Sequence, residues 1–234
     1  MSSAPPHAID SDLFIPALEG KRLYLMRHGK SYEPRLDTPA APAERDPQLP
    51  LTEEGRRGVE ATARALAHLR LEAAYASTFL RSCDTARIVA LPHAVGVETR
   101  PEFEELRVYP EEGGDMRAVA RRYIRLAREL ARCPAHEVVV DEAGRSIGSI
   151  LDAAWTALGE CLDDPPERVL LVAHGGLNRL LLTRMLGLPL HRFLSLDQDF
   201  ACVNVIEFGR RGRPWVRALN VTVDDPFKAG EGRV

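Results

Sequence analysis

The chain has 234 residues, 45% of them hydrophobic, with 31 Lys and Arg against 34 Asp and Glu and a formal net charge of −3. That length suits one large domain, or one domain carrying a sizeable insertion. The charge balance excludes a general attraction to nucleic acid or anionic lipid, so any cationic site must be local, and no run approaches the roughly 18 uninterrupted apolar residues of a membrane span.

Residues Met1 to Asp10 hold no basic region followed by an apolar core, so no secretory signal is expected. The four cysteines, Cys83, Cys133, Cys161 and Cys202, form no CxxC pair. Reduced thiols in a cytoplasmic protein are expected, with Cys83 packing on a helix. Residues 1–20, weakly patterned and bearing prolines, read as a loose arm. A buried strand is expected over 22–26. Pro34, Pro39, Pro42, Pro47 and Pro50 make residues 30–50 a loop. Thr52 then reads as an N-cap, with Glu53 and Glu54 in the first turn of a helix running on through Ala61, Ala65 and Leu69. A strand over 71–76, a helix over 80–90 stopped by Pro92, and a strand over 96–100 complete a β-α-β-α-β order. Such an order predicts a parallel sheet covered by helices.

The alternation then breaks. Residues 115–132 are basic and helix-prone, and 146–162 form a second expected helix. The valine-rich stretch 137–141 reads either as a short strand or as a buried linker. Residues 111–163 are taken as a helical insertion, a lid over the active-site edge of the sheet. The main fold resumes with a strand over 168–173, a helix over 177–186, and strands over 201–208 and 214–220. This leaves one domain over 21–224 and a tail over 225–234. The fold class expected is α/β: a three-layer sandwich with a mostly parallel central sheet flanked by helices.

One pattern recurs. Leu23-Tyr24-Leu25-Met26 runs into Arg27-His28-Gly29, and Val169-Leu170-Leu171-Val172-Ala173 runs into His174-Gly175-Gly176. Each apolar run delivers a histidine, then glycine, at what should be the carboxyl end of a buried strand, the edge where open parallel sheets bind ligands. Alone, a histidine after a strand is usually structural. Here Arg27 precedes it, and an arginine at the end of a buried strand needs an anionic partner, for which phosphate is the natural candidate. Gly29 lets the backbone turn sharply near a ligand. Arg81 falls in the first turn of the 80–90 helix, where free N–H groups and the helix dipole already favour an anion; a solvated surface arginine is the plainer alternative. Past the next strand come Glu102, Glu104 and Glu105. They read as a solvated acidic loop, or as the source of one carboxylic acid able to protonate a leaving alkoxide.

Together these segments, over about residues 22–208, resemble the histidine phosphatase superfamily, also called the phosphoglycerate-mutase-like family. Leu25-Met26-Arg27-His28-Gly29 resembles its RHG signature, and Leu51-Thr52-Glu53-Glu54-Gly55 its LTxxG helix start. Ser77 to Ala86 resembles SxLxRxxxTA, with Arg81 at the arginine position. Phe103-Glu104-Glu105 resembles the LxE segment, which points to Glu105 as the proton donor. Val172-Ala173-His174-Gly175-Gly176 resembles the second-histidine motif. The resemblance implies a phosphatase-branch hydrolase in which His28 attacks phosphorus, Glu105 protonates the departing oxygen, and Arg27, Arg81 and His174 hold the phosphoryl oxygens. It implies no metal and no cofactor, and a small phosphorylated substrate as partner.

Two departures stand out. The asparagine found in many members six residues after the nucleophile is Pro34 here, and Ser31 is the candidate substitute. After the acid the chain reads Glu105-Leu106-Arg107-Val108-Tyr109-Pro110, matching neither the mutase continuation ERxYG nor the phosphatase one. Arg107 and Tyr109 are candidate substrate contacts. In the insertion Arg117, Arg121, Arg125 and Arg128 share one helical face. It reads as a solvated face balanced by Glu111, Glu112 and Asp115, or as a source of one or two arginines leaning over the site. Three functions compete: a metal-independent phosphomonoesterase, a cofactor-dependent phosphoglycerate mutase, and a non-catalytic phosphate-binding module.

Overall fold

The computed structural model describes residues 18–32, 46–108, 116–141, 143–163 and 166–228. Pro34, Tyr109, Glu111, Glu112 and Asp115 lie outside them, as do most of the expected arm and the end of the tail. The strands are β1 (Arg22–Arg27), β2 (Ala73–Ala76), β3 (Val97–Thr99), β4 (Arg168–Ala173), β5 (Val203–Phe208) and β6 (Pro214–Val221). They form one mixed sheet in the order β3-β2-β4-β1-β5-β6. The pairs β1–β4, β2–β4 and β2–β3 are parallel, while β5 pairs antiparallel with both β1 and β6. The architecture is the expected α/β sandwich.

The helices are α1 (Glu53–Leu66), α2 (Leu80–Ala90), α3 (Met116–Leu130), α4 (Ile147–Leu162) and α5 (Gly175–Met185). The two central strands are covered on both faces, which is why they read as continuous apolar runs rather than alternating ones. Alternation along the pleat sends their side chains to two different cores. Leu23, Leu25, Val169, Leu171 and Ala173 pack with Leu126 of α3, Ala154 and Leu158 of α4, and Leu177, Leu180 and Leu181 of α5. Tyr24, Met26, Leu170 and Val172 pack with Val59 and Ala63 of α1 and Ala86 and Val89 of α2.

Helix α1 is shorter than expected. It stops at Leu66, and Leu69 lies in a turn that ends with Arg70 at φ 48°. No glycine or proline marks that stop, so periodicity overran it. The valine-rich 137–141 stretch is a linker. Val138 and Val140 are buried, and its one sheet-like contact is an isolated bridge from Val139 to Ser146, the N-cap of α4.

Two glycines lock the loop after β1 against α1. A Cβ on Gly29 would lie 2.5 Å from Val59 Cγ2, and one on Gly55 would collide with the Lys30 backbone. Thr52 caps α1 by accepting from the Gly55 N–H at 3.0 Å, while its own N–H donates to the Lys30 carbonyl at 3.0 Å. The start of α1 therefore braces the turn that follows Arg27-His28.

Candidate active site

Parallel register aligns Arg27 with Ala173, so the next residue on each strand leaves the sheet at the same edge. The His28 N–H donates to the Ala173 carbonyl at 3.1 Å, and the His28 and His174 ring centroids are 5.0 Å apart. Two histidines separated by most of the chain thus meet in one crevice.

The His28 tautomer follows from its neighbours. Nδ1 lies 2.7 Å from the Gly29 carbonyl oxygen, which can only accept, so Nδ1 carries the ring proton. Nε2 keeps its lone pair, and Arg81 Nε donates to it at 3.2 Å. Arg81 is buried and stands in the first turn of α2. Thr85, one turn later, accepts from the Gly29 N–H at 3.0 Å and donates to the Arg81 carbonyl at 2.7 Å. One hydroxyl therefore ties the histidine's loop to the arginine's helix.

Arg27 is fixed from the opposite side. Its guanidinium lies 3.9 Å above the Phe200 ring centroid and donates to the Gln198 carbonyl. Gln198 is itself held by Asn204 through paired amide contacts of 2.9 Å, and Asn204 Nδ2 donates to the Leu25 carbonyl of β1 at 2.9 Å. Arg27 Nε is buried without a partner among the described residues, as is His174 Nδ1. Two polar atoms of the cluster thus have capacity for an incoming acceptor, a costly arrangement unless a ligand uses it.

His174 is the N-cap of α5, and its Nε2 lies 2.6 Å from Ser77 Oγ. The two glycines behind it make room for different groups. A Cβ on Gly175 would sit 3.3 Å from Arg27 Nε; one on Gly176 would meet Glu105 Oε1 and the Tyr123 hydroxyl. Glu105 caps α5 from outside the helix, with Oε2 accepting from Gly176 N at 3.0 Å and Oε1 from Leu177 N at 3.2 Å. Glu104 faces elsewhere, accepting from the Thr78 hydroxyl and from Arg107 Nη2 at 3.0 Å. The structure thus gathers Arg27, His28, Arg81, His174 and Glu105 around one strand edge.

The family model of the histidine phosphatase superfamily (branch 1) matches residues 23–222. The chain belongs to the histidine phosphatase superfamily. It is 29% identical over 219 residues to a phosphoglycerate mutase-like protein of Arabidopsis thaliana, covering 82% of this chain and 75% of that one. Its fold is similar to phosphoserine phosphatase of Entamoeba histolytica, solved in complex with 3-phosphoglyceric acid. The TM-score there is 0.67 at 20% identity, covering 87% of this chain and 98% of the other. It is also similar to the α-ribazole phosphatase of Shigella flexneri, with a TM-score of 0.62 at 20% identity, covering 85% and 96%.

In this member of the superfamily the electrostatics favour uncharged imidazoles. Burial above all, then Arg81 and Arg27, holds His28 well below the usual imidazole range; burial, then His28, Arg81 and Arg27, does the same to His174. The unfolded chain protonates both rings below about pH 6.5, while the folded chain resists. The unfolded state then binds more protons, so stability must fall as pH drops below that value. Each ring contributes up to roughly 1 kcal/mol per pH unit to this loss. The thermal midpoint should fall from pH 6.5 to 5, and fall less steeply in His28→Ala and His174→Ala variants. Equal slopes for all three proteins, measured by calorimetry, would contradict the buried neutral pair.

Other expected contacts lie differently. Ser31 is half-buried at a bridge with Leu51, and Arg107 is paired with Glu104. The arginine face of α3 is solvated: Arg117, Arg121, Arg125 and Arg128 are exposed, and Arg125 pairs with Glu129 at 2.8 Å. The opposite, apolar face of α3 is the one that reaches the site, through Tyr123. Residues that sequence reasoning passed over are Gln198, Phe200, Asn204 and Tyr123, while Thr85 entered only as the threonine of the SxLxRxxxTA segment. For Phe200 and Tyr123 the signals were a lone aromatic in a polar loop and a lone hydroxyl in an apolar helical stripe.

All four cysteines are free. Burial raises the Cys161 thiol to about 12 and Cys202 to about 11. Cys83, also raised by burial, donates to the Ser77 carbonyl at 3.2 Å. Cys133, just beyond the end of α3, is exposed. Among the described residues no group of three or more His, Cys, Asp and Glu could hold a metal, and no helix is long and apolar enough to cross a membrane. A groove lined by Arg210, Arg211, Arg213 and Trp215 lies by the β5–β6 connection, toward the opposite end of the sheet from the histidines.

Proposed function

We propose that the protein is a metal-independent phosphomonoesterase that works through a phosphohistidine on a small phosphorylated metabolite. The observation that carries this reading is the state of His28. Its protonated Nδ1 is anchored to a carbonyl, and its Nε2 lone pair is directed at a buried guanidinium. An uncharged, oriented imidazole beside two arginines is what in-line attack on a phosphate ester needs.

The placements support the following steps. An incoming phosphoryl group takes over Arg81 from His28 Nε2, and its oxygens engage Arg27, Arg81 and His174. Nε2 attacks phosphorus, the P–O bond to the leaving group breaks, and Glu105 supplies the proton that makes the leaving group an alcohol. Glu105 then takes a proton from water, which attacks the phosphohistidine and releases inorganic phosphate. The cations are in place before charge redistributes, so positioning and preorganised electrostatics supply most of the rate.

A second reading has a specific support: the Arabidopsis relative is named for phosphoglycerate mutase. A mutase would return the phosphoryl group to substrate instead of to water and would require a bisphosphorylated primer.

A panel of phosphate esters assayed with chelator present tests the first reading. EDTA should leave the rate unchanged, and phosphate, vanadate and tungstate should compete with substrate for the cationic cup. Activity lost to chelator and restored specifically by zinc or magnesium would overturn the metal-free assignment. Turnover of 3-phosphoglycerate to its isomer only when primer is supplied, with no phosphate released, would select the mutase.

A further inference from the structure

Helix α3 presents two faces with different chemistry. Arg117, Arg121, Arg125 and Arg128 point to solvent, while Val119, Tyr123, Leu126, Ala127 and Leu130 recur at helical spacing and pack on the core that covers one face of the sheet. Tyr123 is the one member of that stripe with a polar end. Its ring is tilted against Phe193, with centroids 6.2 Å apart, in the 3-10 segment Leu190–Ser195 on which α3 rests. That packing anchors the ring and leaves the hydroxyl at the N-terminus of α5, on Gly176.

Glu105 Oε1 reaches the same glycine. The phenol oxygen and the carboxyl oxygen converge on the space that a Cβ of residue 176 would fill, and both side chains lie close enough to Arg27 to act on its guanidinium. Any side chain at 176 would drive them apart, and glycine is what stands there. Two backbone N–H groups hold the carboxyl from one side, and the phenol oxygen borders the same Cβ space of residue 176 as Oε1.

We propose that Tyr123 is a positioning residue for Glu105: its hydroxyl fixes the carboxyl group on the leaving-group side and so ties helix α3 to the protonation step. The inference rests on Glu105 being the proton donor. No bond is made or broken at Tyr123; the proton passes from Glu105 to the departing oxygen, and Tyr123 sets where that carboxyl stands.

Tyr123→Phe removes one oxygen and keeps the ring on Phe193, so the fold should be retained. The measurement is single-turnover phosphorylation of His28 by an alkyl phosphate and by p-nitrophenyl phosphate, for the wild type, Tyr123→Phe, Glu105→Gln and the double variant. The alkyl ester should be phosphorylated about 10-fold more slowly by Tyr123→Phe, with an unchanged half-saturating concentration, while p-nitrophenyl phosphate stays within about 2-fold. The double variant should be no slower than Glu105→Gln alone, because the two residues act as one unit. If Glu105→Gln discriminates between the esters but Tyr123→Phe does not, or slows both alike, the inference fails and the acid assignment stands. If Glu105→Gln itself does not discriminate, both fall. Additive losses in the double variant would also overturn it, since Tyr123 would then act independently of Glu105.

Discussion

His28→Ala should abolish turnover, with a loss on the order of 10⁴–10⁶-fold, the scale seen when a covalent nucleophile is removed. The fold should survive. The ring sits at the sheet edge, the Gly29 N–H keeps its bond to Thr85, and the His28 backbone keeps its bonds to Ala173 and Ala201. The circular dichroism spectrum should therefore match the wild type. Acid-quenching must be avoided when trapping the intermediate, because a phosphoramidate is labile to acid and stable to base; base-quenched wild type should carry phosphate on His28 that acid then releases. A variant retaining more than a few per cent of activity, or a wild type that never becomes phosphorylated, would remove His28 from the nucleophile's role. Arg81 makes the first result more informative. Its Nε donates to His28 Nε2, and the alanine variant removes that acceptor while keeping the buried guanidinium in the crevice. Inhibitory oxyanions should still bind a protein that cannot turn over.

Glu105→Gln should slow alkyl phosphates by about 10²–10⁴-fold, the usual worth of general acid help, and p-nitrophenyl phosphate far less. An alkoxide needs a proton as it departs; nitrophenolate leaves nearly unaided. The comparison must be made on phosphorylation of His28 itself, since hydrolysis of the intermediate is common to all substrates. Glu104→Gln should show no leaving-group dependence. Its carboxylate is engaged by Thr78 and Arg107, whereas Glu105 sits on the first turn of α5 beside His174. Equal losses on both ester types for Glu105→Gln would move the acid to another group.

Much of this architecture was legible because its determinants are local. Helix α2 was readable to the residue: apolar spacing defines its body, and Pro92 lies just past its end. Strand β4 was equally clear, being six apolar-rich residues that run into His174. The meeting of His28 with His174 was legible too, because a parallel sheet puts all its strand ends on one edge. What stayed hidden depends on the third dimension. Nothing in the loop after α5 announces that Gln198 and Phe200 clasp Arg27, since neither the loop's path nor the antiparallel seating of β5 beside β1 can be read from periodicity. The arginines of α3 drew notice by their charge, yet long cations favour water, and it is the tyrosine on the apolar side that reaches the site. Even the stop of α1 at Leu66 has no helix breaker behind it: Ala67 closes the helix with right-handed geometry, and the chain turns left-handed only at Arg70.

The thiols give the protein a practical property. Three of the four are buried and raised by that burial, while Cys133 stands in solvent one turn past the helix that carries Tyr123. A thiolate-seeking reagent at neutral pH will therefore select one atom in the native chain. The natural sequence is in effect a single-cysteine variant, ready for a spin label or fluorophore without any engineering. A reporter attached there would sit just beyond the C-terminal end of the helix that carries Tyr123, on a surface thiol distinct from the buried three.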